Sequence, residues 1–126
     1  MPAAEIIAPA SEPPLKRKKP KAKSPTQRSL EHMRKLGYPL AQVVERWNMH
    51  AKVRIDLFGI IDIVAIDGAG ETYGIQATSG DNVASRVTKI AESDALAPCL
   101  NAGWRIIVHG WRKNAAGRWT LREVEL

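Results

Sequence analysis

Three polar residues interrupt stretches of sequence that are otherwise apolar. Asp62 lies within the apolar run from Ile60 to Ile66, and Gln76 and Thr78 follow in a second stretch. A run of this kind is typical of a strand buried on both faces, where an ionised carboxylate loses its hydration unless a partner compensates. If a hairpin joins the two stretches, Asp62 pairs directly or diagonally with Gln76, and Thr78 lies on the same face. The pattern indicates either an active site built around a carboxylate or an ordinary buried polar contact.

A short helix precedes these stretches. Ser24, Pro25 and Gln27 have the spacing of a capping box with proline at the first helical position, so a helix begins there. Apolar residues then recur on one helical face, and Gly37 is typical of a C-cap. Together these signals predict a helix over residues 25–36.

The remaining chain is predicted to contain strands and one longer helical segment. Apolar patterns predict strands over residues 39–48, 60–66, 71–78, 104–111 and 119–126. Residues 51–59 form either a basic connection or a continuation of the first strand. The segment between residues 78 and 104 has helical spacing with a break near Pro98, and it provides the crossover that parallel strands require. The sequence therefore predicts an α/β domain with one mixed sheet flanked by helices.

Three short motifs resemble those of the PD-(D/E)xK nuclease superfamily, and most closely its small Holliday-junction-resolvase-like members. The first helix ends in "LGY", which is similar to the Gly-aromatic ending in those proteins. The stretch "IDIVA", residues 61–65, looks like their Pro-Asp-hydrophobic strand, and "IQATS", residues 75–79, looks like their hydrophobic-Glu-x-Lys-Ser/Thr strand. The resemblance spans residues 26–126 and implies a restriction-endonuclease-like αβββαβ core with an extra C-terminal strand.

The resemblance also implies a metal site and a reaction. Asp62, Gln76 and the backbone carbonyl of Ala77 would bind Mg²⁺ or Mn²⁺, and Asp56 is a further candidate ligand. A water activated there would attack a DNA phosphodiester. Gln76 stands where these nucleases carry an acid. Thr78 stands where they carry a catalytic lysine, which stabilises charge on the phosphorus.

Other residues are candidates for the roles that these substitutions leave vacant. Arg86 and Lys89 are three residues apart and share a helix face, so either one is a candidate replacement for the missing lysine. The acid that such nucleases often carry on the first helix would correspond to Gln27 or Glu31. If the buried carboxylate is structural instead, we expect it to bind backbone amides or Arg54.

Three functions follow from the resemblance and its departures. The first is an endonuclease that acts on branched or otherwise structured DNA as a homodimer, because two strands are then cut symmetrically. The second is a catalytically inactive nuclease-fold protein that binds DNA or a protein partner, which Thr78 favours because a neutral hydroxyl supplies no positive charge. The third is a subunit that completes another protein's assembly.

Positive charge is concentrated near the N-terminus of a chain whose net charge is +6. Residues 1–24 are rich in Pro, Ala and Lys without a periodic apolar pattern, which predicts a disordered basic tail ahead of a domain at residues 25–126. The residues expected to contact DNA phosphates are the basic ones of the tail and of a later loop: Lys16, Arg17, Lys18, Lys19, Lys21, Lys23, Arg112, Lys113 and Arg118. A nuclear address and a solubilising segment are alternatives for the tail.

Composition favours an intracellular location. The single cysteine, Cys99, leaves no internal disulfide and no cysteine zinc site, and no apolar run reaches the about 20 residues that span a bilayer. We therefore expect a cytoplasmic protein without a membrane partner, unless the tail is a nuclear address. His32, His50 and His109 share no metal-ligand spacing and are expected to be structural or exposed.

Overall fold

The structure, a computed structural model, describes residues 22–126. Five of the predicted DNA-contacting residues lie outside the described residues, as does most of the predicted tail: Lys16, Arg17, Lys18, Lys19 and Lys21. The helices and strands are α1 (Pro25–Lys35), β1 (Leu40–Val43), β2 (Arg46–Asn48), β3 (Val53–Ile55), β4 (Ile63–Ile66), β5 (Thr72–Ser79), α2 (Val83–Ala91), α3 (Leu96–Asn101), β6 (Trp104–Lys113) and β7 (Trp119–Glu125). None of the helices in this described part of the chain is long and apolar enough to cross a membrane.

Five strands form one mixed sheet in the order β1-β4-β5-β6-β7. β5 and β6 are parallel, as the crossover through α2 and α3 allows, and the other neighbouring pairs are antiparallel. The predicted α/β architecture, with a mixed sheet, flanking helices and an added C-terminal strand, is confirmed. The predicted hairpin between β4 and β5 turns at Asp67, whose carboxylate accepts the amide hydrogens of Ala69 and Glu71.

The prediction of one strand over residues 39–48 is wrong, because strands of two different sheets occupy this stretch. β1 lies at an edge of the five-stranded sheet, whereas β2 pairs with β3 in a separate two-stranded hairpin. The Val44 amide still donates to the carbonyl of Asp62 at 2.8 Å, and the chain leaves the sheet at Glu45. Residues 51–59 therefore contain a strand, β3, that continues this separate hairpin rather than the main sheet.

Helix α1 covers one face of the sheet. The Ser24 hydroxyl oxygen accepts the Gln27 amide hydrogen at 3.1 Å, which confirms the predicted N-cap, but the Gln27 side chain donates to Glu31 and does not complete a capping box. The C-cap is Leu36, and Gly37 follows it with a φ of 91°. Leu30 and Met33 pack from this helix onto apolar side chains of β4, β5 and β6. This packing gives α1 its position in the fold.

Helices α2 and α3 cover the opposite face, on which Asp62, Gln76 and Thr78 lie because side chains alternate along a strand. Gly110 of β6 allows α2 to approach closely, since a Cβ there would overlap with Cγ2 of Val83. This close approach brings the later turns of α2 over the polar side chains of β5.

The helical crossover breaks earlier than predicted. The break lies at residues 92–95, between the two helices, rather than near Pro98. Pro98 instead occupies the first turn of α3. The first amide groups of a helix have no partner within it, so a proline there removes no helical hydrogen bond.

Candidate metal centre

Asp62 stands immediately before β4, so the predicted strand begins three residues late, at Ile63. Its amide donates to the carbonyl of Ile75 at 2.8 Å, and its Oδ2 accepts the amide hydrogen of Ala77 at 2.9 Å. Ile63 pairs with Ile75 at the end of the β4–β5 ladder, and Asp62 lies just beyond this pair with its side chain hydrogen-bonded to Gln76. The predicted pairing of the two polar residues is confirmed.

Three carboxylates meet at this position. One oxygen from each of Glu45, Asp56 and Asp62 lies within 4.8 Å of the other two, close enough to bind one metal ion. Glu45 lies between β1 and β2, Asp56 directly follows β3, and Asp62 directly precedes β4. The β2–β3 hairpin therefore brings the first two acids to the end of the central strands. Glu45 and Asp56 keep 11% and 15% of their side chains exposed, so the cluster reaches the surface.

Gln76 adds an amide to the three carboxylates. Its Nε2 donates to Asp56 Oδ2 at 3.2 Å, while its Oε1 is buried without a hydrogen-bond partner in the described part of the chain. The residue as a whole is 1% exposed. An unpaired buried carbonyl oxygen is costly, and a cation is one ligand that satisfies it. The donor set, three carboxylates and an amide oxygen, fits a hard divalent cation.

Positive charge approaches the cluster from α2. Lys89 Nζ lies 3.7 Å from Asp56 Oδ2, and the charge of Arg86 also acts on Asp56. Both cationic residues proposed from helical spacing therefore lie on the face of α2 directed at the acids. Arg54 does not bind Asp62, because its guanidinium donates to Glu45 Oε1 at 2.9 Å.

The pKa values of the two neighbouring aspartates, Asp56 and Asp62, are shifted in opposite directions. Burial and the neighbouring Asp56 raise the pKa of Asp62 to about 7, although the Ala77 N–H acts in the opposite direction. Burial also opposes ionisation of Asp56, but hydrogen bonds with Asp62 and Gln76 and the charge of Lys89 hold the pKa of Asp56 below its ordinary value. Below about pH 7 the pair therefore shares one proton, which resides on Asp62.

Several residues named from the sequence lie elsewhere. Gln27 and Glu31 belong to α1, on the other face of the sheet, and Glu31 forms an ion pair with Lys23 at 2.8 Å. Neither residue takes part in the cluster. Thr78 is buried on β5, two residues beyond Gln76 on the same face. The acid that completes the cluster is Glu45, and its only sequence signal was a charged residue directly after the apolar Val43–Val44 pair.

The predicted DNA-contacting residues within the described part of the chain lie at two places apart from the acids. Arg112 and Lys113 end β6, and Arg118 belongs to the turn before β7. Arg112 donates to Asp81 at 2.6 Å, and Lys113 Nζ lies 5.4 Å from the centroid of the Trp119 ring. Lys23 lies ahead of α1 and is paired with an acid of that helix.

A Ser–His–Glu arrangement on the α1 face is not a catalytic triad. His109 Nδ1 lies 2.9 Å from Ser29 Oγ, and Nε2 lies 3.9 Å from Glu123. Ser29 is 0% exposed, and its oxygen also accepts the indole N–H of Trp111, so no substrate can reach it. Burial, assisted by the charge of His32, lowers the pKa of His109 to about 4, so the imidazole is neutral at pH 7. The expected structural role of His109 agrees with this arrangement.

Comparison of the chain with protein-family models, with curated proteins and with solved structures finds no match.

Proposed function

We propose that the protein is a divalent-metal-dependent nuclease with a restriction-endonuclease-like core, which hydrolyses DNA phosphodiester bonds. This proposal is supported chiefly by one observation: three carboxylates, the unpaired oxygen of Gln76 and the ammonium of Lys89 meet at one end of two central strands. Carboxylates this close repel one another unless protons or a cation neutralise them. Oxygen donors of this kind suit Mg²⁺ or Mn²⁺.

The order of the elements supports a restriction-endonuclease-like core. With the β2–β3 hairpin set aside, the chain runs α1, β1, β4, β5, α2–α3 and β6, which is the αβββαβ succession implied by the sequence motifs. Asp62 lies at the start of the second strand in that succession, and Gln76 lies on the third. These are the positions where the motifs carry their acids. The hairpin is then an insertion that supplies Glu45 and Asp56.

The acids and the amide would hold the cation. Glu45, Asp56 and Asp62 each offer a carboxylate oxygen, Gln76 offers a neutral one, and the backbone carbonyl of Ala77 is a further candidate ligand. A divalent cation bound there supplies an activated water and neutralises charge on the phosphate. Below about pH 7 Asp62 holds a proton before the cation binds, so binding in that range would release it.

We propose that Lys89 replaces the catalytic lysine of the motif. Its ammonium is 49% exposed and lies 3.7 Å from Asp56 Oδ2, so it can reach a phosphate beside the acids. There it would position the phosphate and stabilise the negative charge that develops during hydrolysis. Arg86, one turn earlier on α2, would supply a second positive charge. Thr78 cannot do this, because its hydroxyl is neutral.

The proposed substrate is structured or branched DNA, and the proposed active form is a homodimer. Positive residues at the end of β6 and in the β6–β7 turn support DNA binding: Arg112, Lys113 and Arg118. Val108 of β6 lies opposite Gln76, and Arg112 follows four residues later, about 13 Å further along the strand. A DNA backbone that crosses the acids can therefore extend along β6 to these residues.

A second candidate function is a DNA-binding or partner-binding module that has lost catalysis. The observation that favours it is Thr78, which is buried where the motif carries a charged lysine. Such a module would bind DNA with a steep salt dependence and would cleave nothing. On this reading the acid cluster is a structural remnant neutralised by its shared proton.

Calorimetric titration of Mn²⁺ into the full-length chain at pH 8 tests the metal site. We expect saturable binding that Asp62→Asn abolishes and that the exposed control Asp94→Asn leaves unchanged. Absence of binding in the wild-type protein, with and without a DNA duplex present, would contradict the nuclease proposal.

Cleavage of branched DNA with Mn²⁺ then separates the nuclease from the module. Lys89→Met should bind Mn²⁺ at least as tightly as the wild type, because a charge that repels the cation is gone. It should cleave DNA about 100-fold more slowly, a rate loss typical of removing a group that stabilises charge in the transition state. Lys89→Arg should retain part of the rate, and Lys35→Met, on the other face of the sheet, should retain all of it. Mn²⁺ binding without any cleavage by the wild type would favour the module.

A further inference from the structure

Phe58 combines exposure with a backbone conformation that is unusual for an aromatic residue. Its φ is 56°, in the left-handed region, and 58% of the residue is exposed. A bulky L-residue is disfavoured there because its Cβ approaches the following carbonyl oxygen. Neither the conformation nor the exposure of a large apolar ring stabilises the fold, and outliers of this kind often have a functional cause.

The turn that holds Phe58 also holds a ligand of the acid cluster. The Gly59 amide donates to the carbonyl of Asp56 at 3.0 Å, and the Leu57 amide donates to the carbonyl of Ile61 at 2.9 Å. These bonds fix the backbone of the turn, so the main-chain positions of Phe58 and Asp56 are fixed relative to one another. Their Cα atoms are at most about 7.6 Å apart, because two virtual bonds separate them.

The ring of Phe58 borders an apolar hollow of about 360 Å³ on the surface. Its lining contains no charged residue: Phe58, Ala95, Pro98, Cys99, Ala102 and Trp104. The Phe58 and Trp104 rings are tilted by 55° with centroids 6.3 Å apart. A hollow of this composition suits a flat, uncharged ring rather than a phosphate.

The hollow lies beside the acids rather than over them. Trp104 pairs with Thr72 on β5, and Gln76 lies four residues further along that strand, about 13 Å away. Phe58 connects the two places, since its turn begins at Asp56 and its ring faces Trp104. A nucleic-acid strand with one phosphate at the acids would therefore bring a neighbouring nucleotide to the hollow.

We propose that Phe58 and Trp104 bind an unpaired nucleobase of the strand whose phosphate lies at the acid cluster. This inference rests on the proposed nuclease function and specifies its substrate: DNA with an unstacked base next to the scissile phosphate. Every base presents a π-face, so stacking on the two rings is tolerant of sequence. A base inside an intact duplex cannot reach the hollow, so single-stranded segments and branch points are preferred over blunt duplex.

Fluorescence anisotropy on the full-length chain tests this assignment. It measures the affinity for a labelled single-stranded oligonucleotide and for a blunt duplex of the same length, in EDTA and low salt. Phe58→Gly should bind the single strand about tenfold more weakly, the effect of one lost stacking contact, while duplex affinity is unchanged. The variant should resist urea at least as well as the wild type, because glycine adopts a positive φ without strain. Phe58→Tyr should retain single-strand affinity, and Leu40→Ala, which truncates another exposed apolar residue, should change neither affinity.

The results distinguish this inference from the nuclease proposal. Unchanged single-strand affinity in Phe58→Gly, or an equal loss on both nucleic acids, would overturn the base-binding role even if Mn²⁺ binds normally. An altered oligomeric state of Phe58→Gly in sedimentation, with nucleic-acid affinity intact, would assign the hollow to a second copy of the chain and also overturn it. Failure of Mn²⁺ to bind either protein would refute the nuclease function instead, because Phe58 is no ligand of the metal site.

Discussion

Replacing Asp62 with asparagine should increase the free energy of unfolding of the metal-free protein at pH 8. Asparagine has nearly the same shape, and its oxygen can still accept the Ala77 amide hydrogen. Its amide group can donate to the ionised Asp56, as the protonated carboxyl of Asp62 does in the wild type below about pH 7. The substitution therefore removes a buried charge and keeps its contacts.

The size of this effect follows from the pKa of Asp62, which rises from 3.8 to about 7 on folding. The folded state binds this proton more tightly than the unfolded state, so its stabilising effect is complete below pH 3.8 and is lost as the pH rises through about 7. At about 1.4 kcal/mol per pH unit, the loss is on the order of 4 kcal/mol at pH 8. Asparagine does not titrate, so the variant should gain an amount of this order at pH 8 and much less at pH 4.5.

Urea denaturation followed by tryptophan fluorescence, in EDTA at pH 8 and pH 4.5, measures the difference. Asp94→Asn, at an exposed position, is the matched control and should change stability at neither pH. Mn²⁺ at 100 times its dissociation constant should narrow the difference by about 2.7 kcal/mol, because it stabilises only the protein that binds it. If Asp62→Asn is less stable than the wild type in EDTA at pH 8, the ionised carboxylate stabilises the fold and the reasoning is refuted.

Three further perturbations test other parts of the structure. Gly110→Ala should lower the free energy of unfolding, measured by urea denaturation, by about 1–3 kcal/mol through overpacking against Val83. Adding Val83→Ala to this variant should restore part of the lost stability. Equal stability of Gly110→Ala and the wild type would contradict the close contact. The pKa of His109 falls from 6.5 to about 4 on folding, so the neutral imidazole contributes on the order of 3 kcal/mol of stability above pH 6.5. This contribution is lost as the pH falls from 6.5 to 4. His109→Gln in an Asp62→Asn background should therefore flatten the dependence of stability on pH in this range. Lys113→Ala should reduce the slope of log affinity for duplex DNA against log salt concentration by about 1, and an unchanged slope would show that this residue contacts no phosphate.

Local patterns in the sequence were sufficient for the central part of the site. Alternation along a strand and a short turn sequence place Asp62 beside Gln76, and helical spacing puts Arg86 and Lys89 on one face of α2. Both relations follow from the periodicity of single elements and from one short turn. They hold because secondary structure alone determines them.

The contribution of the β2–β3 hairpin could not be predicted in this way. Glu45 reaches Asp62 because the chain leaves the sheet after Val44 and returns through β3, a path determined by tertiary packing rather than by local propensity. Apolar periodicity likewise gives the buried face of α1 but not the face of the sheet that it covers. For this reason Glu31 remained a candidate ligand until the structure placed it on the far side of the sheet.

The β2–β3 hairpin makes the acid cluster insensitive to the length of the chain between two of its members. Glu45 and Asp56 lie at the two ends of the hairpin, and its tip at residues 49–52 is exposed. Lengthening a flexible loop costs little entropy, about 0.6 kcal/mol for each doubling of its length. A reporter peptide or a small domain whose termini lie close together can therefore be inserted at this tip without displacing either carboxylate. The hairpin tip is accordingly a site for module insertion that leaves the acid cluster in place.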